Sequence, residues 1–250
     1  MTPTPFDMKK DSTFASASQA DSLFFDVEWT DEDVRLYEFS FLHDLLNSAG
    51  GLRGYLELLE ESSDLGRIKK YALNSQILCD SLISEIEYHR QFLHAKNGSF
   101  KPVLTETTTT EILQLTVLTL NNHSVSKERN IEISIDCSKK LETDMVLLSR
   151  LLVNMTKNAI EATENGGTVL ISAGESGSNI RFSVHNSSVI SEEIKNKLFK
   201  SQFSTKGNNR GIGLFSIKLL CEKLGGTLGF TSSDENGTCF FIDLPLRPKD

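Results

Sequence analysis

Leu151-Leu-Val-Asn154-Met-Thr-Lys-Asn158-Ala-Ile-Glu-Ala-Thr163 is the stretch on which the reading of this chain turns. Leu151, Leu152, Met155, Ala159 and Ile160 recur at helical spacing and make one apolar stripe. Asn154 and Asn158 lie four residues apart on one edge of that stripe, so their amides point the same way. A mid-helix asparagine costs about half a kcal/mol against alanine. A helix that keeps two either leaves them to solvent or uses them, and these residues alone do not choose. The surrounding chain has to decide.

The 250 residues are enough for one large domain or two modest ones. With 38% apolar and 24% charged residues the composition is that of an ordinary globular protein. A net charge of −8 argues against nucleic acid as the main partner, because no basic face is available to neutralise phosphates. Cys79, Cys137, Cys221 and Cys239 are far apart and form no CxxC pair, which suits thiols in a reducing compartment. No apolar run approaches the roughly 18 residues of a membrane helix. Lys9 and Lys10 are followed by Asp11 and a Ser/Ala stretch rather than the apolar core of a signal peptide. The expectation is a cytoplasmic protein with no membrane insertion.

Residues 1–26, rich in Ser, Thr, Asp, Ala and Pro, show no lasting periodicity and are expected to be a disordered tail. Thr30-Asp-Glu-Asp33 offers a helix cap with acidic groups in the first turn. Leu42, Leu45, Ala49, Leu52, Leu56 and Leu59 then form a heptad seam. Ser62-Ser63-Asp64-Leu65-Gly66 breaks it, and a second seam runs through Ile68, Ala72, Ser75, Cys79, Leu82, Ile86 and Leu93. The pattern predicts an antiparallel helical hairpin over 27–96. One hairpin cannot bury two seams well, whereas a homodimer forming a four-helix bundle can. Gly50, Gly51 and Gly54 inside the first helix each cost about 1 kcal/mol relative to alanine. They predict either a kink or a close approach by a partner protein just below His43.

Residues 97–103 read as a linker. From 104 to 250 the pattern becomes mixed α and β: a helix over 108–122, a strand at 131–135, and the asparagine helix capped by Asp144 and ended by Gly166-Gly167. Strands follow at 169–173 and 180–185, then a short helix to about 199 and a polar Gly/Asn-rich loop over 200–210. A helix over 212–224 ended by Gly225-Gly226 precedes two last strands. The expected fold is an α+β sandwich with helices over one face of a mixed sheet.

Two constellations carry chemistry. In His43-Asp44-Leu-Leu-Asn47, a carboxylate beside an imidazole takes one ring N–H, fixes the tautomer and leaves the other nitrogen nucleophilic. An amide one turn further on can orient a water for the reverse hydrolysis. In Ser204-Thr-Lys206-Gly207-Asn-Asn-Arg210-Gly211-Ile-Gly213, the glycines let backbone amides approach phosphate oxygens. Lys206 and Arg210 add positive charge, and the loop leads into a helix N-terminus.

Asn154-Met-Thr-Lys-Asn158-Ala, Phe199-Lys-Ser-Gln-Phe203-Ser-Thr-Lys206 and Gly207-Asn-Asn-Arg-Gly211-Ile-Gly213-Leu resemble the N, F and second glycine boxes of the ATP-binding domain of sensor histidine kinases, within the wider GHKL ATPase group (Bergerat-type fold). Phe41-Leu-His43-Asp44-Leu-Leu-Asn47 resembles the H box of their dimerisation and phosphotransfer hairpin. The resemblance covers about residues 30–247. It implies His43 as phosphoacceptor, Asp44 as its general base and Asn47 as an aid to phosphatase activity. It implies Asn158 as the Mg²⁺ ligand, Asn154 as phosphate or metal support, and Lys206, Gly207, Arg210, Gly211 and Gly213 as the ATP phosphate lid. A response regulator is the implied partner.

One box departs from the family pattern. Where these kinases carry Asp-x-Gly-x-Gly, this chain reads Val184-His-Asn186-Ser-Ser-Val-Ile190. Asn186 stands at the adenine-reading position. Its oxygen can accept from the adenine amino group, but without charge that bond is weaker by about 1 kcal/mol. The leading expectation is a two-component histidine kinase acting from ATP. A histidine phosphotransfer protein or scaffold with a degenerate ATPase domain is the alternative, and a Ser/Thr-directed anti-sigma-type kinase is a third, disfavoured by the His43 hairpin.

Overall fold

The computed structural model describes residues 23–24, 30–121, 129–135, 138–198 and 213–247. The expectation for residues 1–22 lies outside them. Among the described residues, no helix is long and apolar enough to cross a membrane.

Helices α1 (Asp31–Glu61) and α2 (Leu65–Lys96) run antiparallel across a three-residue turn. Asp64 begins α2 as its N-cap, accepting from the Arg67 N–H at 2.7 Å. The open end of the hairpin, away from that turn, is apolar and aromatic. Phe41 stacks on His89 with centroids 3.8 Å apart, and Tyr37 packs on both His89 and Phe92.

The predicted seams divide in an unexpected way. Leu45, Leu52 and Leu59 are half-buried toward α2, joined by Phe41, Ser48 and Tyr55. Leu42, Ala49 and Leu56, by contrast, are exposed, as are Ala72, Cys79 and Ile86 of the second seam. A hairpin offers each helix only one partner, so a seam wider than one contact face leaves half of itself outside. Helix α1 continues unbroken through Gly50, Gly51 and Gly54. An added Cβ at Gly51 would meet only Leu78, while at Gly50 or Gly54 it would meet nothing within 4 Å.

The remainder is a mixed six-stranded sheet and a small second sheet. The large sheet has the order β1-β7-β8-β6-β5-β3. Its strands are β1 (Leu23–Phe24), β3 (Asn130–Ile135), β5 (Thr168–Ser176), β6 (Asn179–Asn186), β7 (Thr227–Ser233) and β8 (Gly237–Pro245). Among the described strands only the β3–β5 pair is parallel. The small sheet pairs β2 (Thr105–Thr108) with β4 (Lys140–Thr143). Strand β1 corrects the expectation of a wholly disordered tail to residue 26. Its Phe24 meets Phe241 edge-on at 6.0 Å, and Gly229 lets this pairing form because a side chain there would strike Phe241.

Helices α3 (Thr109–Asn121), α4 (Met145–Ala162) and α6 (Gly213–Lys223) supply the core side chains that pack with the sheet's, while α5 (Glu192–Leu198) is short. On α4, Leu147, Leu148, Leu151 and Leu152 are fully buried. Each such leucine is worth about 2 kcal/mol of burial. Asp144 caps α4 with one oxygen on Leu147 N–H at 3.0 Å and holds Val103 N–H with the other. The helix stops at Thr163, whose hydroxyl bonds to the Ala159 carbonyl, before Gly166-Gly167 is reached. At the end of α6, Gly225 takes positive φ while Gly226 N–H reaches Cys221 O and Gly225 N–H reaches Glu222 O. This is the paired capping that the two glycines predicted.

Burial draws the His89 imidazole below its ordinary value of 6.5, and Glu38 opposes this more weakly. Its Nδ1 has no partner. The unfolded chain therefore takes up a proton first, so stability falls as pH drops below about 6.5 toward the folded-state value. His89→Phe keeps the ring stack and is expected to remove that part of the acid slope, read from urea unfolding between pH 8 and 5. An unchanged slope counts against His89 as its source.

Candidate functional site

His43 is exposed on α1, one residue beyond the seam position. Its Nδ1 lies 3.1 Å from Asp44 Oδ1. The carboxylate can only accept, so it places the ring proton on Nδ1 and leaves the Nε2 lone pair outward. The Asn47 amide nitrogen, one turn along, sits 3.2 Å from Nδ1 and 3.4 Å from Nε2. All three predicted residues thus meet through side-chain contacts. The arrangement is an oriented imidazole flanked by a carboxylate at Nδ1 and by an amide along the same ring edge.

On α4 the leucines face inward and the asparagines do not. Asn154 is half-buried, and Asn158 is exposed at the next turn. Asn158 offers an amide oxygen, a hard donor of the kind that suits Mg²⁺ held together with phosphates. Beside the asparagine helix, Tyr88 of α2 places its hydroxyl 3.0 Å from Ser216 Oγ on α6. Burial pushes the Tyr88 phenol up to about 12, and the hydrogen bonds to Ser216 and Asn154 oppose this. Lys157 lies between the two asparagines in sequence and faces Glu85 of α2. Burial lowers the ammonium and raises the carboxyl, while their mutual attraction opposes both shifts.

Asn186 closes β6 and is only 4% exposed. Its Nδ2 donates to the Ala159 carbonyl at 3.0 Å, the residue next to Asn158. That bond fixes which end of the amide is which, and Oδ1 is then buried without a partner. A buried acceptor left unpaired costs about 1–3 kcal/mol. It is a place for a ligand N–H. The Asn186 side chain therefore fits an adenine amino group, and the donor half of its amide, which an aspartate lacks, ties β6 to the asparagine helix. His185 beside it is a strand residue, bonded through Nε2 to the Asn236 carbonyl at 2.7 Å. Gly213 opens α6. Lys206, Gly207, Arg210 and Gly211 lie outside the described residues.

Sequence reasoning did not single out Tyr88, Ser216, Glu85, Gln91 or the Ala159 carbonyl. Each acts across a long sequence separation, and a lone tyrosine in a helical seam carries no local signal.

Residues 143–248 match the histidine kinase-, DNA gyrase B- and HSP90-like ATPase family. The matched residues form an ATPase domain of that family, and with the hairpin ahead of it the fold is similar to that of histidine kinases. Sensor histidine kinase ZraS of Escherichia coli (strain K12) is 30% identical over 139 residues, covering 52% of this chain and 30% of that protein. Sporulation kinase B of Bacillus subtilis (strain 168) is 28% identical over 214 residues, covering 82% of this chain and 48% of that protein. The crystal structure of histidine kinase ThkA in complex with response regulator protein TrrA superposes with a TM-score of 0.51 at 25% identity, covering 82% of this chain and 59% of that one. The chain thus spans about half or less of the length of these curated relatives.

Gly237 holds the turn before β8 at φ +65°, and an added Cβ would run into the Asn186 carbonyl and the Ser187 backbone. Gly237→Ala is expected to destabilise the fold by roughly 1–3 kcal/mol, read by thermal unfolding. An unchanged melting temperature contradicts the tight approach at Asn186.

Proposed function

We propose that this chain is a two-component histidine kinase that phosphorylates its own His43 from ATP and passes the phosphoryl group to an aspartate of a response regulator. The observation that carries the reading is the buried, unpartnered Oδ1 of Asn186 beside the asparagine helix. A scaffold that had abandoned nucleotide would have no reason to keep an orphaned acceptor there.

In the proposed reaction His43 Nε2 attacks the γ-phosphorus, the bond to the ADP oxygen breaks and a phosphoramidate forms. Asp44 keeps the proton on Nδ1 so that Nε2 remains the nucleophile. Phosphoryl transfer asks mainly for positioning and charge neutralisation. Asn158 would hold Mg²⁺, which supplies charge neutralisation when bound. Asn154, Lys206, Gly207, Arg210, Gly211 and Gly213 would cradle the phosphates, and Asn186 would read adenine. Asn47, whose amide reaches His43, would assist hydrolysis of the phosphorylated regulator in a phosphatase mode.

We assign residues 27–96 to the dimerisation and phosphotransfer unit and 104–250 to the ATP-binding unit. Exposed Leu42, Leu46, Leu73, Ile83 and Ile86 on the outer hairpin face support a homodimeric four-helix bundle, because a second copy would cover them. ThkA, crystallised with a response regulator, supports the partner class. The thiol pattern and the absence of an apolar spanning run in the sequence support a cytoplasmic setting.

Purified protein incubated with Mg²⁺ and γ-labelled ATP is expected to acquire acid-labile label that His43→Ala abolishes. No label and no ATP binding would favour the phosphotransfer-scaffold reading. Asn186→Asp separates the readings further. A carboxylate cannot donate to the Ala159 carbonyl and is repelled by it, so ATP affinity is expected to fall about tenfold, the worth of one lost hydrogen bond in a buried site. A gain in affinity would mean that Asn186 is merely a decayed aspartate.

A further inference from the structure

Helix α4 ends in carbonyls that its own backbone N–H groups cannot satisfy. Side chains take them. Asn186 Nδ2 and the Thr163 hydroxyl donate to Ala159 O at 3.0 and 2.7 Å. Arg129 Nε donates to Thr163 O at 3.2 Å, and the Ser188 hydroxyl donates to Ala162 O. Asn186 is the last residue of β6, and Ser188 lies two residues further on. The loop after β6 is thus pinned to the end of the helix that carries Asn158.

Its other side is pinned to the sheet. Ile190 N–H donates to Ser232 Oγ of β7 at 2.9 Å. Thr238 Oγ1 of β8 donates to the Ser188 carbonyl at 2.7 Å. The two hydroxyls, Ser232 and Thr238, stand 2.8 Å apart. A hydroxyl has one proton, and Thr238 gives its own to Ser188, so Ser232 donates to Thr238. Every bond therefore points the same way, from Ile190 N–H through Ser232 and Thr238 to Ser188 O. The relay closes on the loop from which it starts. It joins residues 188 and 190, the two positions at which the family pattern carries glycine. Thr238 is also the strand partner of Asn186.

We propose that Ser188 is a positioning residue for base recognition. Anchored to Ala162 on one side and to Thr238 on the other, it holds Asn186 so that the amide presents oxygen, not nitrogen, to the base. The proposal rests on Asn186 reading adenine, as above. An asparagine amide can turn end for end, which exchanges acceptor for donor. The Ala159 carbonyl forbids the turned state only while Asn186 stays within hydrogen-bond reach of it. The loop anchors maintain that reach. With Ser188 released, Asn186 can draw back, turn and offer an N–H to a base carbonyl. Ser188 therefore governs which base is accepted by acting through Asn186.

The test compares the binding of ATP and of inosine triphosphate, each with Mg²⁺, to the full chain and three variants. Ser188→Ala removes the hydroxyl of a half-buried loop residue. It is expected to weaken ATP binding about three- to tenfold and to narrow the preference for ATP by a similar factor, the size of one hydrogen bond. Ser188→Thr keeps the hydroxyl and is expected to restore the preference. Thr238→Val cuts the relay while keeping the side-chain shape, and is expected to narrow the preference as Ser188→Ala does. A loop that is merely less stable would bind both nucleotides more weakly and leave their ratio as in the parent. That result, or a Ser188→Thr that behaves as Ser188→Ala, overturns the proposal while the nucleotide reading stands. If the parent binds neither nucleotide, or both alike, the reading of Asn186 fails and the proposal fails with it.

Discussion

Helix α4 has to bury leucines in the core while keeping two asparagines out of it, and the rest of the structure follows from that division. Leu147, Leu148, Leu151 and Leu152 are lost to solvent entirely, whereas Asn158 is exposed. A rotation by one residue position would drive an amide into the core, at a cost of about 1–3 kcal/mol for each unpaired polar group. The apolar stripe therefore sets the rotation of the helix, and the rotation sets where the amides point. Asp144 and Thr163 define its two ends.

Once α4 is placed, the two flanking contacts acquire meaning. From the sheet, Asn186 reaches the Ala159 carbonyl and leaves its amide oxygen buried without a partner. From the hairpin, Gln91 accepts from Arg150 of α4 and Tyr88 reaches Ser216 of α6. The same helix thus meets a buried, unpaired acceptor from the sheet on one side and the hairpin on the other. The donor half of the Asn186 amide makes a structural bond that a carboxylate cannot make.

Much of this was legible in the sequence, for local reasons. The α4 stripe, the Asp144 cap, the Gly225-Gly226 terminus and the order of the main strands all follow from periodicity and capping chemistry. The four-residue β2 and β4 were missed because both are too short and polar to show an apolar alternation. Leu23–Phe24 was given to a disordered tail because two residues hold no pattern; β1 exists only through pairing with Phe230 and Gly229. The hairpin seams were found, but not which half of each would face the partner helix, since a heptad does not say how many helices surround it. At the site, His43, Asp44 and Asn47 were legible because they sit within one turn. Asn186 was legible as a position but not as an amide held by Ala159, and the Tyr88–Ser216 contact not at all, because both depend on contacts made across the fold.

The account stands on the claim that Asn186 is a working reader of adenine. Comparing the affinities of ATP and inosine triphosphate for the intact chain with Mg²⁺ tests it most directly, since the two differ in the base group that would face Oδ1. The amino group of adenine donates to that oxygen, whereas the carbonyl of hypoxanthine opposes it. ATP is expected to bind at least about tenfold more tightly. Equal affinities, or no binding of either nucleotide, would contradict the account.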